Sequence, residues 1–136
     1  PYCSRGVLNW KTIVDFSKEA INNFDIRTIG PEQKVEQLSG GNLQKIILAR
    51  EISHPVKALV ASSPTRGLDI NATYYVYNRF LELLKMKAGI LLISEDLDEI
   101  FNIADRIAVI YNGCILGEYS IEDATIEKVG LLMAGL

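Results

Sequence analysis

The chain has 136 residues, 49% of them hydrophobic and 23% charged, which suits one globular domain with a modest core and excludes a disordered tail. Its net charge is −3 and no cluster of Lys or Arg stands out, so binding nucleic acid through neutralised phosphates is not expected. No apolar run approaches the roughly 18 residues that span a bilayer, and no signal peptide opens the chain, so a soluble, cytoplasmic protein is expected.

The chain opens on Pro1-Tyr2-Cys3 without an initiator Met, which suggests a fragment or the removal of an upstream segment. Residues 10–24 place Ile13, Phe16, Ala20 and Phe24 at helical spacing, with Asn9 able to cap the start. Asp25 to Leu38, with Gly30-Pro31 and little periodicity, reads as a connector. A helix then follows Ser39-Gly40-Gly41 and runs to about Ser53, where Pro55 prevents continuation. Its apolar residues (Leu43, Ile46, Ile47, Leu48, Ile52) cover much of the circumference, so burial on more than one side is expected. Ala58 to Ala61 reads as a buried strand stopped by Ser62-Ser63-Pro64. Residues 70–86 form an amphipathic helix through Tyr74, Tyr77, Phe80, Leu81 and Leu84, with Gly89 near its C-cap. Gly89 to Ile93 is a second buried strand, and 96–103 a short helix. Asn112-Gly113 joins strands at Arg106–Tyr111 and Cys114–Tyr119 through a two-residue hairpin turn. A last helix is expected over roughly 121–133. This alternation points to an α/β fold with a largely parallel sheet, with no repeats and no linker to a second domain.

Several residues invite a functional reading that their setting does not support. Cys3 and Cys114 lie far apart without CxxC or Cys/His spacing and read as small apolar residues in a reducing compartment. His54, the single histidine, sits just past a helix end and reads as a surface residue near the terminal carbonyls. Trp10, Tyr74, Tyr75 and Tyr77 fit core or subunit contacts better than a stacking platform. Asp98 and Glu99 read as a solvated helix face. No residue stands out as a catalytic group or a metal ligand.

Ser39-Gly40-Gly41-Asn42 at a helix start carries a definite physical meaning. The first turn of a helix leaves backbone N–H groups without partners, and its dipole places partial positive charge there. Ser39 can cap the turn while the two glycines let an anion approach the backbone, which makes a phosphate-binding device. A Ser-capped helix after a glycine turn is the plainer reading of those residues alone.

The surroundings favour the first. Leu38-Ser39-Gly40-Gly41-Asn42-Leu43-Gln44-Lys45, followed by Ala49-Arg50-Glu51, resembles the signature segment of ABC-transporter ATPases, in the form seen in sugar and nucleoside importers. A strand then arrives at the Walker B position, Pro64-Thr65-Arg66-Gly67-Leu68-Asp69 resembles the following D-loop, and Ile93-Ser94-Glu95-Asp96-Leu97 occupies the switch position. Four landmarks in order are more specific than any one. The resemblance implies a partial P-loop NTPase fold of the ABC ATPase kind, with a mostly parallel sheet, flanking helices and a C-terminal β-hairpin. It makes residues 1–136 the C-terminal part of a nucleotide-binding domain. Within it, 5–37 would end the helical subdomain, and 38–136 would carry the signature, Walker B-like, D-loop and switch segments.

The departures from the family pattern are as informative. Walker B ends in Asp-Glu in the family, one residue holding Mg²⁺ through water and the other activating the attacking water; Ser62 and Ser63 stand there in this chain. A serine hydroxyl is a weak Mg²⁺ ligand and a poor base, and losing a positioned base costs about 10²–10⁴ in rate. Glu95 replaces the switch histidine and would repel a γ-phosphate, and no GxxxxGK[ST] occurs in the chain. In the family two domains pack head to tail, each ATP lying between one domain's P-loop and the other's signature. The resemblance therefore implies that the trans-acting residues Ser39, Gly40, Gly41, Asn42 and Asp69 are kept while the cis-acting ones are degenerate.

From this follow several expectations. ATP is shared with a partner domain, and Mg²⁺ comes only through that partner. A second nucleotide-binding domain and transmembrane permease subunits are the partners, with a homodimer of the chain possible, at the inner face of the cell membrane. The isolated chain is not expected to hydrolyse ATP. A structural piece of a split or truncated ATPase, or the ATPase head of a chromosome-organising or DNA-repair protein, stand as alternatives. The P-loop strand belongs, by the resemblance, between the strand at 89–93 and the hairpin, so an incomplete sheet with open edges is expected.

Overall fold

The computed structural model describes residues 2–4 and 6–136; Pro1 and Arg5, the first of which opens the chain and the second the expected helical-subdomain segment, lie outside the described residues. The chain divides into two compact units, one taking in the residues up to Leu59 together with Pro64–Gly89, the other Val60–Ser63 and Ile90–Leu136.

The first unit is mainly helical. A small antiparallel ladder that periodicity did not suggest, β1 (Cys3–Ser4) with β2 (Val7–Leu8), precedes α1 (Trp10–Asn23). Asn9 caps α1 as expected, its Oδ1 accepting from the Thr12 N–H at 3.2 Å. After a 3₁₀ turn at Val35–Gln37 come α2 (Gly40–Ile52) and α3 (Ile70–Lys85). The buried apolar residues here are Phe24, Ile26, Leu48, Ala49, Val76, Phe80, Leu83 and Ala88. In α2 only Leu48 and Ala49 are buried, so burial on several sides is not realised. The expected C-cap glycine of α3 is also corrected. Lys87, at φ 62°, takes the left-handed position, and Gly89 opens the next strand.

The second unit is built on strands. β3 (Ala58–Ser62) and β4 (Gly89–Ile93), whose first residues Ala58, Leu59 and Gly89 are counted with the first unit, run parallel, as the N–H of Gly89 donates to the Lys57 carbonyl at their starts and that of Ser63 to the Ile93 carbonyl at their ends. α4 (Leu97–Ile103) leads to β5 (Arg106–Tyr111) and β6 (Cys114–Ser120), an antiparallel hairpin with a register shift between Val109 and Ile110. Asn112 at φ 46° and Gly113 at φ 79° supply the two left-handed residues that a type I′ turn requires. α5 (Ile126–Met133), shorter than expected because 121–123 form a turn and Thr125 caps the helix, lies on this hairpin. Ile107, Val109 and the fully buried Val129 make the core, ringed by Leu97, Ile100, Phe101 and Leu132.

Neither β3 nor β4 is the buried strand that its apolar run suggested. Val60 is 64% exposed, Leu91 58% and Ile93 50%. Among the described residues β4 is hydrogen-bonded to β3 and not to β5, so the parallel pair and the hairpin are separate sheets. A strand flanked by one neighbour keeps a free edge and leaves its faces partly uncovered. Asp98 is solvated as expected, but Glu99 is buried at 2% exposure. Helical spacing puts position 99 on the face of α4 that carries the half-buried Ile103, rather than on the solvent side.

Candidate nucleotide-phosphate site

Ser39 stands at the N-cap of α2 in an extended conformation, and the first helical backbone bond runs from the Leu43 N–H to the Ser39 carbonyl at 2.9 Å. The Ser39 hydroxyl does not cap the helix, contrary to expectation. It accepts instead from the side chain of Asn42, Nδ2 to Oγ at 3.0 Å. Among the described residues the N–H groups of Gly40, Gly41 and Asn42 therefore have no acceptor, and they lie where the helix dipole is positive. Three orphan amides at a helix start suit a multiply charged oxyanion.

The two glycines differ in setting. A Cβ at Gly40 would meet nothing within 4 Å, whereas one at Gly41 would lie 3.1 Å from the Ala72 Cβ on α3. Gly40 thus leaves the approach open, and Gly41 lets the first turns of α2 and α3 come together. Asn42 does not reach outward with its side chain. Its Oδ1 accepts from the Arg27 N–H at 2.9 Å while Nδ2 holds Ser39, so both ends of the carboxamide are occupied.

The turn before α3 places Asp69. The Leu68 N–H donates to the Thr65 carbonyl at 3.0 Å, with Gly67 at φ 74° in the third position, where a type II turn needs positive φ. Asp69 then caps α3, Oδ1 accepting from the Ala72 N–H at 2.9 Å. Ser39, Gly40, Gly41, Asn42 and Asp69 thus share the first unit, at the starts of two helices that touch at Gly41 and Ala72.

Beneath that pair of helix starts lies a cluster of charge and aromatic rings. Lys45 Nζ donates to the Asp25 carbonyl at 2.6 Å and to its Oδ2 at 2.9 Å, and lies 4.5 Å from the Tyr75 ring centroid. The hydrogen bond from Lys45, reinforced by its charge, holds the Asp25 carboxyl below the usual carboxylate range. Arg79 donates to the Tyr75 hydroxyl at 3.1 Å, to Glu82 at 2.7 Å and to the Asn23 carbonyl at 2.5 Å. Burial pushes the Tyr75 hydroxyl up, so it stays neutral and accepts from Arg79. Periodicity alone gave no sign of this cluster.

Ser62, Ser63 and Glu95 lie in the second unit, at one end of the β3–β4 pair. Ser63 adopts φ 44°, a left-handed conformation uncommon for a residue with a side chain. Glu95 is exposed between Ser94, whose hydroxyl accepts from the Asp96 N–H at 3.0 Å, and Asp96, which caps α4. No group of three metal-ligating side chains occurs among the described residues. His54 is exposed and stacks near Phe16, at 6.5 Å and 19°. Trp10 is exposed, and Cys3 and Cys114 are free and exposed.

No protein-family model matches the chain. It is 42% identical over 135 residues to the nucleoside import ATP-binding protein NupA of Lactococcus lactis subsp. cremoris, covering 99% of this chain and 27% of that protein. With the ribose import ATP-binding protein RbsA of Caldanaerobacter subterraneus subsp. tengcongensis it shares 39% identity over 130 residues, 96% of this chain and 26% of that one. Among solved structures, the dimeric ATP-binding cassette MJ0796 in a post-hydrolysis state with ADP and Pi matches at a TM-score of 0.70 and 19% identity, over 87% of this chain and 51% of the cassette. That last likeness carries the fold alone. The chain spans about a quarter of the length of the import proteins and about half of the cassette structure. Over nearly its whole length the chain is thus similar to a part of the sugar and nucleoside import ATP-binding proteins, and it has the fold of the ABC-transporter ATP-binding cassettes.

Proposed function

We propose that this chain completes an ATP site held mainly by another cassette, in an importer of simple sugars or nucleosides. The α2 N-terminus and Asp69 face the partner's nucleotide, the partner supplies the P-loop and Mg²⁺, and the pair couples to membrane permease subunits at the inner face. The observation that carries this reading is the set of three free amides at Gly40, Gly41 and Asn42, all open because Ser39 bonds the Asn42 side chain where a side-chain cap would have taken one of them. Such donors stabilise charge that develops on a transferring phosphoryl group.

Two further facts support it. A cassette of this fold is dimeric. The matched segment is about half of that cassette but only about a quarter of the import proteins, which leaves them room for a second cassette in the same polypeptide. Ser62 and Ser63 offer neither a metal carboxylate nor a base, and Glu95 places a negative charge at the switch position, so on this reading the chain's own side of the pair is the inactive one. On this reading residues 5–37 end the helical subdomain and 38–136 carry the signature, D-loop and switch segments.

The test is steady-state ATPase of the complete reconstituted transporter. Ser39→Arg fills the γ-phosphate position and displaces it from the amides; removing one such donor costs about 10²–10³ in rate, and steric exclusion costs more. Ser62→Ala and Ser63→Ala leave turnover within about twofold, since they face a site without ligand or base. Loss of turnover in the serine pair with retention in Ser39→Arg would contradict the proposal.

A further inference from the structure

Asp25 occupies an unusual place. α1 ends in a Schellman motif, in which the Ile26 N–H donates to the Ile21 carbonyl at 3.0 Å and the Asp25 N–H to the Asn22 carbonyl at 3.3 Å. The left-handed position of that motif belongs by default to Gly, yet Asp25 fills it at φ 47°. A side chain there strains the backbone, because its Cβ crowds the following carbonyl. The carboxylate meets Lys45, whose side chain is only 13% exposed although it carries a full charge. The same ammonium takes the Asp25 carbonyl, so one residue offers Lys45 a backbone and a side-chain oxygen.

Lys45 and Asn42 are three residues apart on α2 and share a face. Asn42 Oδ1 accepts from the Arg27 N–H, so three hydrogen bonds tie the segment 25–27 to the first two turns of α2. The other side of the segment is anchored in packing, with Phe24 and Ile26 buried. Arg79 on α3 holds the Asn23 carbonyl and stacks 4.9 Å from the Phe24 ring centroid and 5.1 Å from that of Tyr75, which itself lies against Lys45. The end of α1 is thus bonded to the start of α2 and to the middle of α3. Those helices also meet at Gly41 and Ala72.

We infer that Asp25 and Lys45 are positioning residues for the phosphate-binding turn: through the clasp on segment 25–27 they set where the amides of Gly40, Gly41 and Asn42 stand relative to Asp69. This rests on the function proposed above. Neither residue touches nucleotide. The clasp acts through Asn42, which is bonded at one end to the clasped segment and at the other to Ser39, so a displaced 25–27 segment carries Ser39 with it. Lys45 holds Asp25 at a backbone and a side-chain oxygen together, which fixes direction as well as distance.

The test uses the complete transporter, measuring kcat and KM for ATP together with thermal unfolding. A misplacement of about 1 Å can cost on the order of 10²-fold in rate. Lys45→Met lowers kcat by about tenfold to a hundredfold with an unaltered unfolding transition, and Lys45→Arg, which can still reach Asp25, restores most of it. Asp25→Gly separates position from stability. It relieves the left-handed strain, so the protein is no less stable, yet kcat falls because the carboxylate is gone. If Lys45→Met and Asp25→Gly keep full kcat while Ser39→Arg stops turnover, the positioning role is wrong and the trans-acting site stands. If kcat falls only in step with loss of folded protein, and Lys45→Arg fails to rescue it, the cluster is merely structural. Should Ser39→Arg itself leave turnover intact, the underlying function fails first.

Discussion

A methyl group added at Gly41 would sit 3.1 Å from the Cβ of Ala72, while one added at Gly40 would find open space. Adjacent in sequence and identical in type, the two glycines answer to different constraints, one to helix packing and one to access. Gly41→Val should therefore destabilise by about 1–3 kcal/mol through overpacking, and Gly40→Val by no more than about 0.5 kcal/mol. Urea unfolding of the two variants checks this, and equal destabilisation would remove the distinction. The open backbone amides of this turn were legible from Ser39-Gly40-Gly41-Asn42 because they depend on local backbone geometry. The bond between Asn42 and Ser39 was not, because a side chain can satisfy a neighbour as readily as the backbone. Asp25 and Lys45 lie twenty residues apart, beyond the reach of any periodic pattern.

Helices in this chain end in a common way that their sequences disguise. α1, α3 and α5 each close with a Schellman motif, with Asp25, Lys87 and Gly135 at the left-handed position. Only the last is the glycine that marks such an end. After α3 the first glycine is Gly89, two residues past the true position. Starts were read in part: Asn9 caps as expected and Ser39 does not, while the side-chain caps at Asp69, Asp96 and Thr125 were not foreseen. The burial of β3 and β4 could not be read from their apolar runs, because burial depends on what covers both faces. α5 shows the opposite case. Val129 has no exposed surface and packs with Ile107 and Val109 of β5. Val129→Ala removes two methyl groups from that core and should cost about 2–3 kcal/mol, measured by denaturant unfolding. A cost below about 0.5 kcal/mol would mean that α5 is not held by that face.

At the scale of the molecule, residues expected to act on a partner's nucleotide and those expected to act on the chain's own fall in different compact units. Ser39 to Asn42 and Asp69 are in one, Ser62, Ser63 and Glu95 in the other. The order of four landmarks was enough to point to the ABC-transporter ATPases that the chain resembles, because motif order survives where single motifs are ambiguous. The separation of β4 from β5 agrees with the incomplete sheet expected from the missing P-loop strand. The central claim is that the γ-phosphate of a partner-held ATP lies against the start of α2. An ATP analogue with a photoreactive group on its γ-phosphate, irradiated in the complete transporter and followed by peptide mapping, tests this directly. The account predicts label on the peptide spanning Leu38 to Lys45, lost when Ser39→Arg is introduced and lost when the partner's P-loop lysine is replaced. Label on the segment around Ser62 and Ser63 or on Glu95 instead, or label on Leu38 to Lys45 that survives loss of the partner's P-loop, would contradict it.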